Sequence, residues 1–123
     1  MVSVRTKDEL RSLIQTELHY HGADADLNFI DTSKITDMSR LFEGLNVRNI
    51  KIDKWDVSNV TDMSYMFFMC EDFNADLSKW NTSKIMAITD IFTMATKMEM
   101  KEEQQPKFNN LRYLYSLLTY NQN

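Results

Sequence analysis

Two histidines are the first candidates for chemistry in this chain. His19 and His21 stand two positions apart near the end of a predicted helix, and residues at that spacing do not face each other. With Asp24 and Asp26 they offer only a weak set of metal ligands. We interpret these four residues as a solvated helix end, and we predict no metal site and no cofactor.

Cys70 is the next candidate, because a thiolate is a nucleophile and a metal ligand. It is the only cysteine, so neither an intramolecular disulfide nor a cysteine-based zinc site is available. No histidine lies near it in sequence to activate the thiol, and we expect Cys70 to be a small buried residue rather than a nucleophile. The repeated aspartates Asp37 and Asp62 stand beside Thr and Ser, where turn hydrogen bonding accounts for them. We predict no catalytic residues and therefore no enzyme.

The elements that position these residues follow from an internal repeat. Residues 31–55 and 56–80 are successive copies of one 25-residue pattern. The tail of an earlier copy occupies residues 25–30, and a degenerate copy runs from Asn81 to about Gln105. Such a fixed period is typical of stacked repeat folds. We therefore expect Trp55 to lie beside Trp80, and one interior ladder to be lined by Phe42, Phe67 and Phe92. Ten positions are identical at this offset: Asp31/Asp56, Ser33/Ser58, Thr36/Thr61, Asp37/Asp62, Met38/Met63, Ser39/Ser64, Phe42/Phe67, Asn49/Asn74, Lys54/Lys79 and Trp55/Trp80.

The apolar spacing within a copy predicts its local structure. Met63, Met66, Phe67 and Cys70 follow the i, i+3, i+4, i+7 pattern of a short helix face. The segment 77–80 favours a brief strand followed by a turn. We use column for the set of equivalent positions in successive copies. Methionines in columns that also hold Ile or Leu are expected to pack in the core. The predicted fold class is α/β, a short leucine-rich-repeat-like solenoid with helical N- and C-terminal caps.

The two ends of the chain differ from the repeats. Residues 6–21 predict a helix, because Thr6 and Glu9 have capping-box spacing and Gly22 ends the apolar pattern. Beyond Pro106, residues 108–120 predict a closing helix. We therefore expect one repeat domain over 1–123, with an N-terminal cap helix in 1–24, repeats in 25–105 and a C-terminal cap helix in 106–123.

Composition limits the partners. The formal net charge of -4 argues against binding bare nucleic acid, which calls for a basic surface. No stretch is long and apolar enough to predict a membrane span, and the first residues lack the apolar core of a signal peptide. We expect a cytoplasmic protein, or a surface-exposed one if the sequence was trimmed.

The phrases DVSNVTDMSYMF (56–67) and FNADLSKWNTS (73–83) carry a family resemblance. They resemble the BspA-like leucine-rich-repeat proteins with 25-residue repeats, found in mycoplasmas and other host-associated bacteria. The lead-in TKDELRSLI is also similar, so the resemblance covers roughly residues 5–100. It implies a surface or lipid-anchored protein that acts in adhesion or protein binding, with no shared catalytic residues.

One group of outward positions carries large apolar side chains that the fold does not require. Tyr65, Phe68 and Met69 lie opposite the predicted inward face, and Arg40 and Glu43 hold the equivalent positions one copy earlier. An apolar group rimmed by polar residues is typical of a contact surface. The alternative is that a cap or loop covers it. A second candidate surface consists of two columns of mixed charge. It is equally compatible with recognition of a charged partner and with plain solvated surface. The two columns are Asp26/Lys51/Asp76/Lys101 and Asn28/Asp53/Ser78/Glu103.

Two functional hypotheses follow from these patterns. The first is a non-catalytic protein–protein interaction module, whose partner is another protein or a second copy in a homodimer. The second is a small cytosolic inhibitor of another macromolecule, such as a toxin immunity protein, an anti-CRISPR or another anti-defence protein.

Overall fold

A computed structural model describes residues 1–95 of the chain. In chain order these residues form strand β1 (Val2–Ser3), helix α1 (Lys7–His21) and strand β2 (Ile30–Asp31). The two strands pair in parallel, with Val2 opposite Ile30 and Ser3 opposite Asp31. Apart from isolated bridges, turns, bends and coil account for the remainder of residues 1–95.

Helix α1 forms where its end signals predict. The Thr6 hydroxyl accepts a hydrogen bond from the backbone N–H of Glu9 at 3.1 Å, which satisfies one of the free N–H groups of the first turn. At the other end the N–H of Gly22 donates to the carbonyl of Leu18 at 2.9 Å. Leu10 and Ile14 are fully buried and join the helix to the core. The predicted helix over residues 6–21 is confirmed.

The predicted fold class is wrong. Within residues 1–95 there is one helix and one two-stranded parallel sheet, not an α/β solenoid with helical caps. Residues 63–70, predicted to be helical, form consecutive turns. The N–H of Tyr65 donates to the carbonyl of Thr89 at 2.8 Å, and that of Phe67 donates to Ile91 at 2.9 Å. A helix would need these N–H groups for carbonyls four residues earlier.

Tight turns explain why the helical spacing misled. The N–H of Met66 donates to the carbonyl of Met63 at 3.1 Å, and the N–H of Cys70 donates to that of Phe67 at 3.0 Å. These turns place side chains that are three residues apart on the same side of the chain, as a helix also does. The predicted strand at 77–80 is a turn as well, because the N–H of Trp80 donates to the carbonyl of Leu77 at 3.2 Å.

Successive copies are held in register at the period seen in the sequence. Isolated parallel bridges join Asp37 to Asp62 and Asp62 to Ala87, each pair 25 residues apart. The indole N–H of Trp55 donates to the carbonyl of Leu27 at 2.8 Å, and that of Trp80 to Ile52 at 2.9 Å. The two indole rings are parallel, with centroids 6.5 Å apart. The prediction that the two tryptophans lie side by side is confirmed.

A column of phenylalanines runs through the core. The ring centroids of Phe42 and Phe67 are 5.3 Å apart, and those of Phe67 and Phe92 are 5.6 Å apart. All three side chains are fully buried. The predicted interior ladder of these residues is therefore confirmed, although the elements that carry it are turns.

The N-terminal segment covers the first copy. Arg11 on α1 donates to the carbonyls of Leu41 at 2.7 Å and Glu43 at 3.3 Å. In the next copy the equivalent carbonyls, of Met66 and Phe68, accept backbone N–H groups from the copy before. The guanidinium of Arg11 thus supplies the first copy with hydrogen-bond donors that the second copy receives from the backbone of the first.

The predicted division of the chain stays a prediction. Helix α1 falls inside the segment 1–24 assigned to the N-terminal cap, and the repeats from residue 25 onward continue to residue 95. The last part of the third copy, up to residue 105, and the closing helix expected in 106–123 lie outside the described residues.

Candidate protein-interaction surface

The side chains predicted to face outward come together on one surface. We define the outer turn face as Tyr65, Phe68 and Met69, with Arg40 and Glu43 at its rim. Met69 is 52% exposed, whereas Tyr65 and Phe68 are half-buried. In the described part of the chain this face is therefore partly open, and no loop from residues 1–95 buries it completely.

Left-handed backbone turns direct these side chains outward. Tyr65 has φ of 59° and Met69 has φ of 61°. Bulky residues rarely adopt this region, because the side chain crowds the following carbonyl at a cost of roughly 1–2 kcal/mol. The first copy places Gly44 at the position equivalent to Met69, with φ of 70°. The fold thus demands this conformation, and the middle copy accepts strain to keep a large apolar side chain there.

Contacts between the side chains hold the face in one arrangement. The rings of Tyr65 and Phe68 meet edge to face, with centroids 5.4 Å apart. The guanidinium carbon of Arg40 lies 4.3 Å from the centroid of the Tyr65 ring, a cation–π contact. Glu43 accepts a hydrogen bond from Arg40 at 2.7 Å. The aromatic pair is therefore pre-ordered, which lowers the entropy lost when a partner binds.

Met94 extends the face into the third copy; the sequence places it at an equivalent outward position, but it is not among the predicted binding residues. It is 54% exposed, with φ of 65°. The hydrogen bond from the N–H of Met69 to the carbonyl of Thr93, at 3.0 Å, places the two copies in register beside each other. The column Gly44/Met69/Met94 is visible at the 25-residue period, so the signal was available in the sequence.

Cys70 lies behind the outer turn face and is inaccessible. It is free and fully buried, and its thiol donates to the carbonyl of Phe42 at 3.0 Å. Burial raises the pKa of the Cys70 thiol to about 12. A thiol that stays protonated at neutral pH is a poor nucleophile, and the prediction that Cys70 is buried is confirmed.

The histidine and aspartate group does not assemble around a common point. His21 lies 3.4 Å from Glu17 on its own helix, and His19 packs edge to face on Tyr20. Asp24 instead forms a two-pronged ion pair with Arg48 and accepts the N–H of Asn49 at 3.1 Å. Residues 1–95 contain no group of three or more His, Cys, Asp or Glu side chains arranged to hold a metal ion.

The mixed-charge columns are partly engaged in bonds between copies. The amide of Asn28 donates to Asp53 at 2.9 Å, and its carbonyl oxygen accepts the N–H of Lys54 at 3.0 Å. Asp76 accepts the N–H of Ser78 at 3.0 Å. The two bonds of Asn28 join neighbouring copies, whereas the bond of Asp76 lies within one copy. The predicted members Lys101 and Glu103 lie outside the described residues.

Comparison with known proteins places the chain in a family. Its register of successive copies makes it a repeat protein. A family described as Mycoplasma protein of unknown function, DUF285, matches residues 11–121. The chain belongs to the DUF285 family. No curated protein and no solved structure matches it. In the part of the chain that the structure describes, no helix is long and apolar enough to cross a membrane.

Proposed function

We propose that this chain is a non-catalytic protein-binding module that engages its partner through the outer turn face. The observation that carries the proposal is the exposed Met69, held in a left-handed turn beside the ordered pair of Tyr65 and Phe68. Aromatic side chains and arginine supply most of the binding energy in typical interfaces. The matching first-copy position is a glycine, so the fold itself does not require the large side chain.

The resemblance to BspA-like leucine-rich-repeat proteins supports the same function. Those proteins are associated with adhesion and protein binding at bacterial surfaces. Whether this chain works at the surface or in the cytoplasm is a separate matter, because the outer turn face serves either location. The proposed partner is another protein that offers an apolar patch, since the rim cation Arg40 is already paired with Glu43.

The test compares one double variant with one control. Tyr65→Ala with Phe68→Ala removes the aromatic pair, and Tyr20→Ala removes an aromatic side chain that is 74% exposed on α1. A partner is first identified by capture on the wild-type protein and purified, and its Kd is then measured by titration calorimetry. Self-association is measured by sedimentation.

We expect the double variant to weaken binding at least tenfold, about 1.4 kcal/mol, and Tyr20→Ala to leave it unchanged. Circular dichroism should show both variants folded, because the removed rings are not part of the buried core. A folded double variant with wild-type affinity rejects the outer turn face as the binding site. The mixed-charge columns around Lys51, Asp53 and Asp76 then become the next candidate. A double variant that unfolds shows that the pair is structural, which also rejects the proposal.

A further inference from the structure

The methionines of the described residues divide sharply by exposure. Met38, Met63 and Met66 are 0% exposed and belong to the core, as the sequence predicted. The exposed group, at 85%, 52%, 77% and 54% in that order, is Met1, Met69, Met86 and Met94. The exposed thioethers therefore offer a chemistry that the buried ones lack.

Two of the exposed methionines share one place in the repeat. Met69 and Met94 occupy the same column, in left-handed turns with φ of 61° and 65°. These turns direct both side chains to the solvent side, and the buried thiol of Cys70 lies on the inner side of the same turn. Met69 is also a member of the outer turn face, and Met94 continues that face by one copy.

We infer that Met69 and Met94 form a methionine-oxidation site that controls binding at the outer turn face. The reactant is hydrogen peroxide. The Sδ lone pair attacks one peroxide oxygen, an S–O bond forms, and the O–O bond breaks. The oxygen bound to sulfur gives up its proton to solvent, and the leaving oxygen takes a proton from solvent and departs as water. Sulfur loses two electrons and the peroxide gains two.

The consequence follows from the change in polarity. A sulfoxide is polar and chiral where the thioether was apolar and flexible. An apolar partner patch would then face two sulfoxide oxygens and lose contact area. The fold should survive the reaction, because neither side chain is buried in the core. The effect on binding depends on the proposed function, whereas the oxidation itself does not.

The first experiment measures oxidation alone. The folded protein is treated with hydrogen peroxide, and each methionine is followed by peptide mass spectrometry. Met69 and Met94 should oxidise at least tenfold faster than Met38, Met63 and Met66. Buried sulfur reacts only after local opening, and a tenfold difference corresponds to an opening free energy of about 1.4 kcal/mol. Equal rates for the two groups would overturn the inference.

The second experiment measures binding before and after peroxide. In the Met69→Leu/Met94→Leu variant the face keeps its apolar character but lacks both thioethers. Met86→Leu is the matched control, an exposed methionine of a different column. For each protein the readout is the ratio of its Kd after peroxide to its Kd before. This ratio should be at least five for wild type and for Met86→Leu, and close to one for the double variant, whatever its starting Kd. A ratio close to one for Met86→Leu, or a ratio of five or more for the double variant, would overturn the inference.

The two proposals fail in distinguishable ways. Selective oxidation without any change in affinity would reject control of binding while leaving the outer turn face in place. If the Tyr65→Ala/Phe68→Ala variant binds normally, the proposed function fails whatever the oxidation rates show. A fall in melting temperature that peroxide causes in the wild type but not in the Met69→Leu/Met94→Leu variant would also reject the inference, because these two side chains would then be supporting the fold.

Discussion

The ring of Phe73 stacks on the ring of Phe67, with centroids 4.0 Å apart and planes inclined by 22°. This separation is shorter than those from Phe67 to Phe42 and to Phe92, which are 5.3 Å and 5.6 Å. Phe73 is fully buried and follows the consecutive turns of residues 63–70 in the middle copy. Because Phe67 stacks on rings of both neighbouring copies, the middle copy supplies the ring that joins all three.

Replacing Phe67 by alanine should be severely destabilising. The change removes a ring with three aromatic neighbours, and the expected loss of unfolding free energy is about 3–5 kcal/mol. Urea denaturation followed by tryptophan fluorescence measures it. Phe42→Ala, whose ring stacks on Phe67 and Trp55, should lose less. Losses below about 1 kcal/mol at both positions would show that the column is not core.

Removing the guanidinium of Arg11 should destabilise the first copy. Arg11→Met keeps most of the stem but removes donors to the carbonyls of Arg40, Leu41 and Glu43. Because a charged group makes these bonds, we expect a loss of about 1–3 kcal/mol in thermal or chemical unfolding. Arg5→Met, at an exposed position before α1, is the control and should stay within about 0.5 kcal/mol of wild type. Similar losses for the two variants would contradict this account.

Acid should weaken the link between Asp24 and Arg48. The hydrogen bond from Arg48, with that from Asn49, lowers the pKa of Asp24 from 3.8 to about 2. A carboxyl whose pKa is depressed by folding stabilises the folded state above its unfolded pKa, and this contribution is lost as the pH falls. Asp24→Asn should therefore have a lower melting temperature than wild type at neutral pH. The difference should shrink between pH 3.8 and about 2, and a constant difference would rule out this linkage.

Gly44 should resist substitution although there is room for a side chain. A Cβ at this position would meet nothing within 4 Å, but φ is 70°. Gly44→Ala should cost about 1–2 kcal/mol through the backbone alone. Gly44→Asn should cost less, since asparagine tolerates this region better. Denaturant midpoints test the order, and an alanine variant as stable as wild type would show that the turn relaxes freely.

The sequence predicted the register of this molecule better than its secondary structure. The columns of Phe42, Phe67 and Phe92 and the pairing of Trp55 with Trp80 depend only on the 25-residue period, and both were predicted. The prediction of a helix in residues 63–70 was wrong, because an apolar pattern of i, i+3, i+4 does not distinguish a helix from consecutive turns. The two structures differ in which carbonyl accepts each N–H. Here alternate N–H groups, such as those of Tyr65 and Phe67, donate to the next copy, and those between them close turns within their own copy.

The candidate surface could be predicted in part for the same reason. Tyr65, Phe68 and Met69 were found because they lie opposite the apolar face of the repeat pattern. Met94 holds an equivalent outward position but was not included among the predicted binding residues. The cation–π contact of Arg40 with Tyr65 requires the spacing between copies. The two-pronged bond between Arg48 and Asp24 likewise joins segments that only the folded chain brings together.

Bonds that recur every 25 residues also govern which changes of length the gene can tolerate. Asp37 pairs with Asp62 and Asp62 with Ala87, so loss or duplication of one whole period joins equivalent backbone to equivalent backbone. A deletion of any other size in the repeats shifts backbone donors away from their acceptors and moves phenylalanines out of the stacked core positions. Viable length variants of this gene should therefore differ by whole multiples of one period, and unequal recombination between copies is the simplest route to them.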